Sequence, residues 1–271
     1  MMDSEPKRPI GTVTRIVEMI RYLAEHDTEV AVTTIARDLW LPPSTVHRLL
    51  HLLMEQGFVE RGVRFQNYRV GGELFRLSSL IARKMALAEL ADPFMKRMSA
   101  ESGEFSMLCL YLPTEHTLTL VHTVAAVHPL TYNAEMFTPM SIAWGASGRA
   151  ILASLSENEI REIYLETGPA PVTGESLPPF PQFRAELHAI RERGYARTQG
   201  QKIAGAVGIA SPVRGASGKV VASLCLTVPE IRFDPAEEAR LGTLLRRYAT
   251  ALGHANGYAP SSSPTGVRAA S

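Results

Sequence analysis

Long apolar runs are missing from this chain of 271 residues, as are clustered cysteines, an excess of charge of either sign and an abundance of aromatic side chains. No stretch nears the roughly 18 consecutive apolar residues that a membrane span needs. Residues 1–9 carry charges of both signs and no apolar h-region, so an export signal is not expected either. The two cysteines, Cys109 and Cys225, lie far apart and outside any Cys-x-x-Cys or Cys/His spacing, which argues against a disulfide framework or a structural zinc site and fits a reducing cytoplasm. The formal charge is +1, and residues 1–72 hold nine Lys or Arg against nine Asp or Glu, so net charge does not advertise a nucleic-acid partner. Any such partner must be read from local pattern.

What is present is ordinary globular composition, 45% hydrophobic and 20% charged, in a chain long enough for two domains. Val13, Ile16, Val17, Ile20, Leu23 and Ala24 recur at helical spacing and predict a first helix over 12–25. Thr33 is placed to cap a short second helix carrying Ile35, Ala36 and Leu39, which Trp40-Leu41-Pro42-Pro43 stops. Ser44 is placed to cap a third helix with Val46, Leu49, Leu50, Leu53 and Met54 on its apolar face, ended by Gln56-Gly57. Residues 58–61 and 65–70 read as two strands of a basic hairpin around Gly62. Residues 73–90 repeat Leu74, Leu77, Leu80, Ile81 and Leu87 as a helix suited to joining domains and pairing with a second copy. Beyond it come a helix over 91–102, strands over 105–112 and 117–124, helices over 147–155, 157–166 and 183–193, strands over 207–213 and 220–228, and a last helix over 235–253. The expected fold class is α+β: an N-terminal winged helix-turn-helix over 1–72, a linker helix over 73–90, an antiparallel-sheet domain over 91–253, and a Ser/Pro/Ala-rich tail over 254–271 expected to be disordered.

Ser44, His47, Arg48 and His51 fall at i, i+3, i+4 and i+7 of the third helix, a polar stripe opposite the core stripe. A solvated face would look the same in isolation. A helix-turn-helix followed by a basic hairpin favours DNA: Arg can fork onto guanine in the major groove, and short hydroxyls reach phosphates or bases. Thr34, Ser44, Thr45, His47, Arg48 and His51 are the candidate reading residues, with Arg61 and Arg64 on the hairpin gripping flanking phosphate. His47 and His51 have ligand spacing but no further ligands, so no metal is expected.

Gly145-Ala146-Ser147-Gly148 opens a helix with small residues. Its free N–H groups are suited to a carboxylate, and the same small residues are equally suited to close packing alone. Ser147 as a hydrolase nucleophile is the rival reading. The segment misses Gly-x-Ser-x-Gly by one residue and no Asp/His context accompanies it. Gly205-Ala206-Val207-Gly208 is too short for a dinucleotide fingerprint, and no cofactor is expected.

Leu41-Pro42-Pro43-Ser44-Thr45-Val46-His47-Arg48-Leu49-Leu50, Gly57-Phe58-Val59-Glu60 and Tyr68-Arg69-Val70-Gly71 resemble the N-terminal domain of the IclR family. Residues 146–153, Arg191-Glu192-Arg193-Gly194-Tyr195 and Ile209-Ala210-Ser211-Pro212-Val213 are similar to the effector-domain signatures of that family, in the same order, so the resemblance covers about residues 10–252. It implies a GAF-like effector domain, homodimers or dimers of dimers on double-stranded palindromic operator DNA, and a ligand-responsive repressor or activator of catabolic genes that is not an enzyme. It also implies a pocket at Ala146, Ser147, Gly148, Thr198, Gly208, Cys225 and Thr227. Met107, Cys109, Leu130, Tyr132, Phe137 and Met140 are candidates for its apolar walls, although such residues are more often core, and they suggest an aromatic or carboxylate-like effector. A ligand-binding or interaction module that does not read DNA is the alternative. Two positions depart from the family pattern: Trp40 stands where Gly is usual in the turn, and Gln201 stands where an acid is usual.

Overall fold

A computed structural model describes residues 11–64, 66–84, 87–126 and 135–259. The chain divides into two compact units, Met1–Ala86 and Leu87–Ser271. The first contains α1 (Thr12–Ala24), β1 (Val30–Ala31), α2 (Val32–Asp38), α3 (Pro43–Glu55), β2 (Val59–Arg61), β3 (Asn67–Val70) and α4 (Gly72–Lys84). Its core is built by the apolar stripes of three helices: Met19 and Leu23 from α1, Ile35 from α2, and Val46, Leu49, Leu50 and Leu53 from α3. Strands pair antiparallel in the order β1-β3-β2, with Val59 opposite Val70 and Arg61 opposite Tyr68. Helices followed by this hairpin make a winged helix-turn-helix.

Several local expectations change. α2 is preceded by Ala31 and α3 by Pro42, and neither helix has a side-chain cap, so Thr33 and Ser44 sit inside the first turns. At α3 the reason is Pro43, whose fixed φ and missing N–H suit the first helical position. Two-residue β1 was not expected, and the second hairpin strand begins at Asn67, two residues later than the sequence suggested. Val13 and Val17, assigned to the buried stripe of α1, are exposed, while Met19 is fully buried.

Trp40 adopts φ +54°, the left-handed conformation that its position demands. Leu41 N–H donates to Ala36 O at 3.0 Å and Trp40 N–H to Arg37 O at 3.2 Å, which is the paired hydrogen bonding of a Schellman turn. The turn therefore keeps its shape with a bulky residue at the strained position, and the indole projects into solvent, 87% exposed.

The second unit begins with α5 (Leu87–Ser102), followed by β4 (Phe105–Leu112), β5 (Thr117–Val124), β6 (Met140–Ser141), α6 (Gly145–Leu152), α7 (Glu157–Glu166), α8 (Phe180–Arg193), β7 (Ala196–Gln199), β8 (Ala206–Arg214), β9 (Val220–Pro229) and α9 (Glu238–Ala255). Of residues 73–90, 73–84 are helical within α4 and 87–90 are helical at the start of α5. The six strands form one antiparallel sheet in the order β6-β5-β4-β9-β8-β7. Alternation along the strands sorts side chains to its two faces. Met107, Cys109, Leu120, Ala210 and Cys225 pack with α6, α7 and α8. Leu108, Ile209, Leu224 and Leu226 pack with α5 and α9. Because β9 is covered on both faces, it reads as a nearly continuous apolar run.

The helices are fixed by local chemistry as well as by burial. Ser156 and Glu159 form a reciprocal capping box at the start of α7, and Gly194 ends α8 at φ +78°. Across the α5–α9 side, Glu101 accepts from Arg247 and Tyr248, and buried Ser99 and Ser106 share a 2.8 Å hydrogen bond. β6 and β7 escape the sequence pattern, the first through brevity and the second because Arg197 and Gln199 break its apolar alternation.

Trp40→Gly is expected to stabilise the first unit by about 1 kcal/mol, because glycine removes the left-handed strain; a chemical denaturation midpoint of the variant checks this. A methyl group on Gly148 would collide with the backbone of Ile142. Gly148→Ala should therefore lower stability by roughly 1–3 kcal/mol, read as a reduced melting temperature of the second unit.

Candidate functional site

In the first unit α3 presents its two stripes as the sequence suggested. Val46, Leu49, Leu50 and Leu53 are buried, while Ser44, His47, Arg48 and His51 are exposed and Thr45 is half-buried. His51 Nδ1 lies 3.3 Å from Glu55 Oε1, which ties the last member of the stripe to its own helix. Thr34 is half-buried on α2. Arg61 and Arg64 are exposed on the hairpin. The hairpin tip is held by Glu29, whose carboxylate accepts from the backbone N–H of Arg64 at 3.1 Å and from Asn67 Nδ2 at 3.3 Å. Glu60 and Arg69 pair across the strands at 2.7 Å. The surface is a helix with exposed hydrogen-bonding side chains followed by an arginine-bearing wing, and in helix-turn-helix proteins the corresponding helix lies in the major groove.

In the second unit a cavity of about 520 Å³ lies between the start of α6 and the sheet. Of the residues expected there, Met107, Cys109, Met140, Ala146, Ser147, Thr198, Gly208, Cys225 and Thr227 line it. They converge because alternation places Met107, Cys109, Cys225 and Thr227 on the α6 face of adjacent strands, with Met107 opposite Cys225 in register. Gly148 does not line the cavity; it allows α6 to approach the Ile142 backbone. Phe137 is 69% exposed and also outside the lining. Leu130 and Tyr132 lie outside the described residues.

Sequence reasoning missed Leu118, Leu120, Trp144, Glu135 and Lys202 as lining residues and treated Gln201 only as a departure from pattern. Trp144 donates from Nε1 to Gly168 O at 3.0 Å and so closes one wall. Gln201 Oε1 accepts the Gly145 N–H at 3.2 Å. The stem of Lys202 crosses the start of α6, its Cδ 2.9 Å from where a β-carbon on Gly145 would stand, and Gly145 holds φ +74°. The ammonium is shut off from solvent without a hydrogen-bond partner. A lone lysine inside the small-residue segment 200–205 was the available signal, but nothing periodic marks it as inward-facing.

Electrostatics in the cavity follow from desolvation. Burial pushes the Lys202 ammonium down to about 8, against an opposing pull from Cys109 and Cys225. Burial also raises both thiols, Cys225 to about 12, while hydrogen bonding from Ser147 lowers them. The cysteines are therefore neutral thiols at pH 7, and Lys202 is a mostly protonated cation in a largely apolar pocket.

A winged-helix DNA reader and a separate unit with a ligand-sized cavity, in one chain, define a DNA-binding transcriptional regulator. Residues 80–254 match the bacterial transcriptional regulator IclR C-terminal domain and residues 12–62 match the IclR helix-turn-helix domain. The chain belongs to the IclR family. It is 27% identical over 243 residues to the HTH-type transcriptional repressor AllR of Escherichia coli K12, covering 88% of this chain and 89% of that protein. An IclR transcriptional regulator from Silicibacter sp. TM1040 has the same fold at TM-score 0.81 and 23% identity, covering 92% of this chain and 97% of that one. An IclR homologue from Microbacterium hydrocarbonoxydans, solved with 4-hydroxybenzoate, superposes at TM-score 0.73 with 21% identity, covering 90% and 100%. The protein is thus a regulator that binds DNA and not an enzyme, which disposes of both the Ser147 hydrolase and the module without DNA reading. Among the described residues no helix is long and apolar enough to cross a membrane.

The depressed Lys202 sets a pH signature. Between about pH 8 and the ordinary lysine value of 10.5 the unfolded chain binds a proton that the folded chain has released, so this residue's contribution to stability rises with pH. The stability difference between wild type and Lys202→Met should shift in favour of wild type by roughly 1–3 kcal/mol across that window. Denaturation midpoints of both proteins at pH 7.5 and 10 check it.

Proposed function

We propose that the chain is an effector-gated regulator that reads operator DNA through Ser44, Thr45, His47, Arg48 and His51, steadied by Arg61 and Arg64. A small metabolite with a carboxylate and an aromatic or otherwise apolar body would be the signal, held between the start of α6 and the facing sheet. The observation that carries this reading is the cavity itself, a mainly apolar space that also takes in Ser147, Gln201 and Lys202 around the start of α6. The 4-hydroxybenzoate bound by a homologue of the same fold supports an aromatic acid as the kind of ligand. Relatives named as repressors support repression as the output, and genes of metabolite breakdown would be the targets.

Self-association belongs to the same proposal. Two copies would pair through residues 73–90 and set two reading heads on half-sites spaced by the groove repeat of roughly 34–36 Å. Effector binding would bias that spacing, through the different affinities of the ligand for the two states. A dimer of dimers would do this on paired sites, in the cytoplasm where the DNA lies.

A footprint on the chain's own upstream region, with and without aromatic acids and short oxo-acids, tests the whole reading. Protection that no metabolite of either class alters would remove the gating. Arg48→Ala is expected to weaken specific binding by about 1–3 kcal/mol without loss of fold. In gel shifts the wild-type affinity should also fall steeply with salt as phosphate contacts release counterions.

A further inference from the structure

We propose that Lys202 is the counter-ion of the cavity's ligand, so that this regulator selects a molecule with a single carboxylate on an apolar body over the corresponding neutral amide. This rests on reading the cavity as the effector site, and it assigns the charge that the effector must bring.

Three observations converge on it. First, the ammonium of Lys202, a residue that lines the cavity, is buried with no hydrogen-bond partner among the described residues, an arrangement that is unfavourable until an anion arrives. Second, its stem lies over Gly145, so the lysine and the positive end of α6 meet side by side in the cavity's lining. Two positive features repel one another there. The neighbouring Gln201 accepts the Gly145 N–H but brings no negative charge to offset them. Third, Glu135 is the other charged residue among the described lining residues, and it is exposed; the groups that act on the ammonium are the thiols of Cys109 and Cys225. The lowered proton affinity of Lys202 is consistent with the same unmet charge.

The geometry also limits the ligand to one anionic end. Ser147 and Thr227 both contribute hydroxyls beside the Cys225 thiol, so the cavity holds hydrogen-bonding groups for a carboxylate besides the ammonium. Met107, Leu118, Leu120 and Met140 make much of the remaining lining apolar. A second carboxylate set against those four side chains would be desolvated with no donor from any of them. A single ring with small substituents suits a cavity of about 520 Å³.

Calorimetry on the full chain at pH 7 and fixed ionic strength, with 4-hydroxybenzoate and 4-hydroxybenzamide as probes, tests the assignment. Wild type is expected to favour the acid by roughly tenfold to a hundredfold, the scale of a charge-assisted pair, and Lys202→Met is expected to bind acid and amide alike. Gln201→Glu places a competing carboxylate at the same end and should weaken the acid by roughly tenfold while leaving the amide unchanged. Equal binding of acid and amide by wild type, or a preference that survives in Lys202→Met, overturns the role of Lys202 and leaves the cavity as an effector site. Binding of neither probe overturns both. If Lys202→Met does not fold, Gln201→Glu decides, and unchanged acid affinity in it overturns the proposal.

Discussion

The seating of α6 on the sheet governs the second unit. Small residues make it close: Gly148 lies against the Ile142 backbone, and Gly208 of β8 comes near Ala146, so that a β-carbon on it would stand 3.1 Å from the alanine methyl. Because the helix approaches this closely, its first turn hangs over strands β4, β8 and β9, and the space left beside it becomes a cavity. Larger residues at either contact would lift the helix and dissolve the site's walls. The same small-residue requirement explains why α6 is buried along its whole length, a property more typical of a core helix than of a binding loop.

A site made this way is rigid on one side and electrically unfinished on the other. The sheet side is a packed core of Met107, Leu118, Leu120, Cys109 and Cys225, with neutral thiols. The helix side gathers an N-terminus, a buried ammonium and a carboxamide in place of a carboxylate. Natural interiors seldom leave a charge unpaired, because desolvation is costly, so an uncompensated cation in a cavity points to a ligand rather than to stability. The DNA-reading unit follows the opposite logic. Its core is built of aliphatic contacts from three helices, and Ser44, His47, Arg48 and His51 of α3 are exposed on the side away from that core.

Trp40 shows how firmly that unit's turn is constrained. The Schellman hydrogen bonds from Leu41 and Trp40 form with a bulky residue in the left-handed position, so tertiary packing around Ile35, Ala36 and Leu49 dictates the turn against local preference. Strain at one residue, of the order of 1–2 kcal/mol, is small beside the burial of several aliphatic side chains at roughly 1.5–3 kcal/mol each.

By itself the sequence determined whatever depends on neighbours along the chain. Strands 105–112 and 117–124 and the helix 157–166 were readable to the residue, because β-rich runs, the turn between them and a helical repeat are local signals. The polar stripe of α3 was equally legible, since a helix converts spacing into a face. The tertiary structure decided what depends on distant segments meeting. Thr33 and Ser44 lost their capping roles, to a strand running straight into α2 and to Pro43 at the start of α3. Gly148 proved to be a packing residue, and Lys202, 57 positions from Gly145 along the chain but crossing it in space, emerged as the buried charge of the cavity. No periodicity encodes such a meeting, because the direction of a side chain on an irregular segment is set by the surfaces that fold around it.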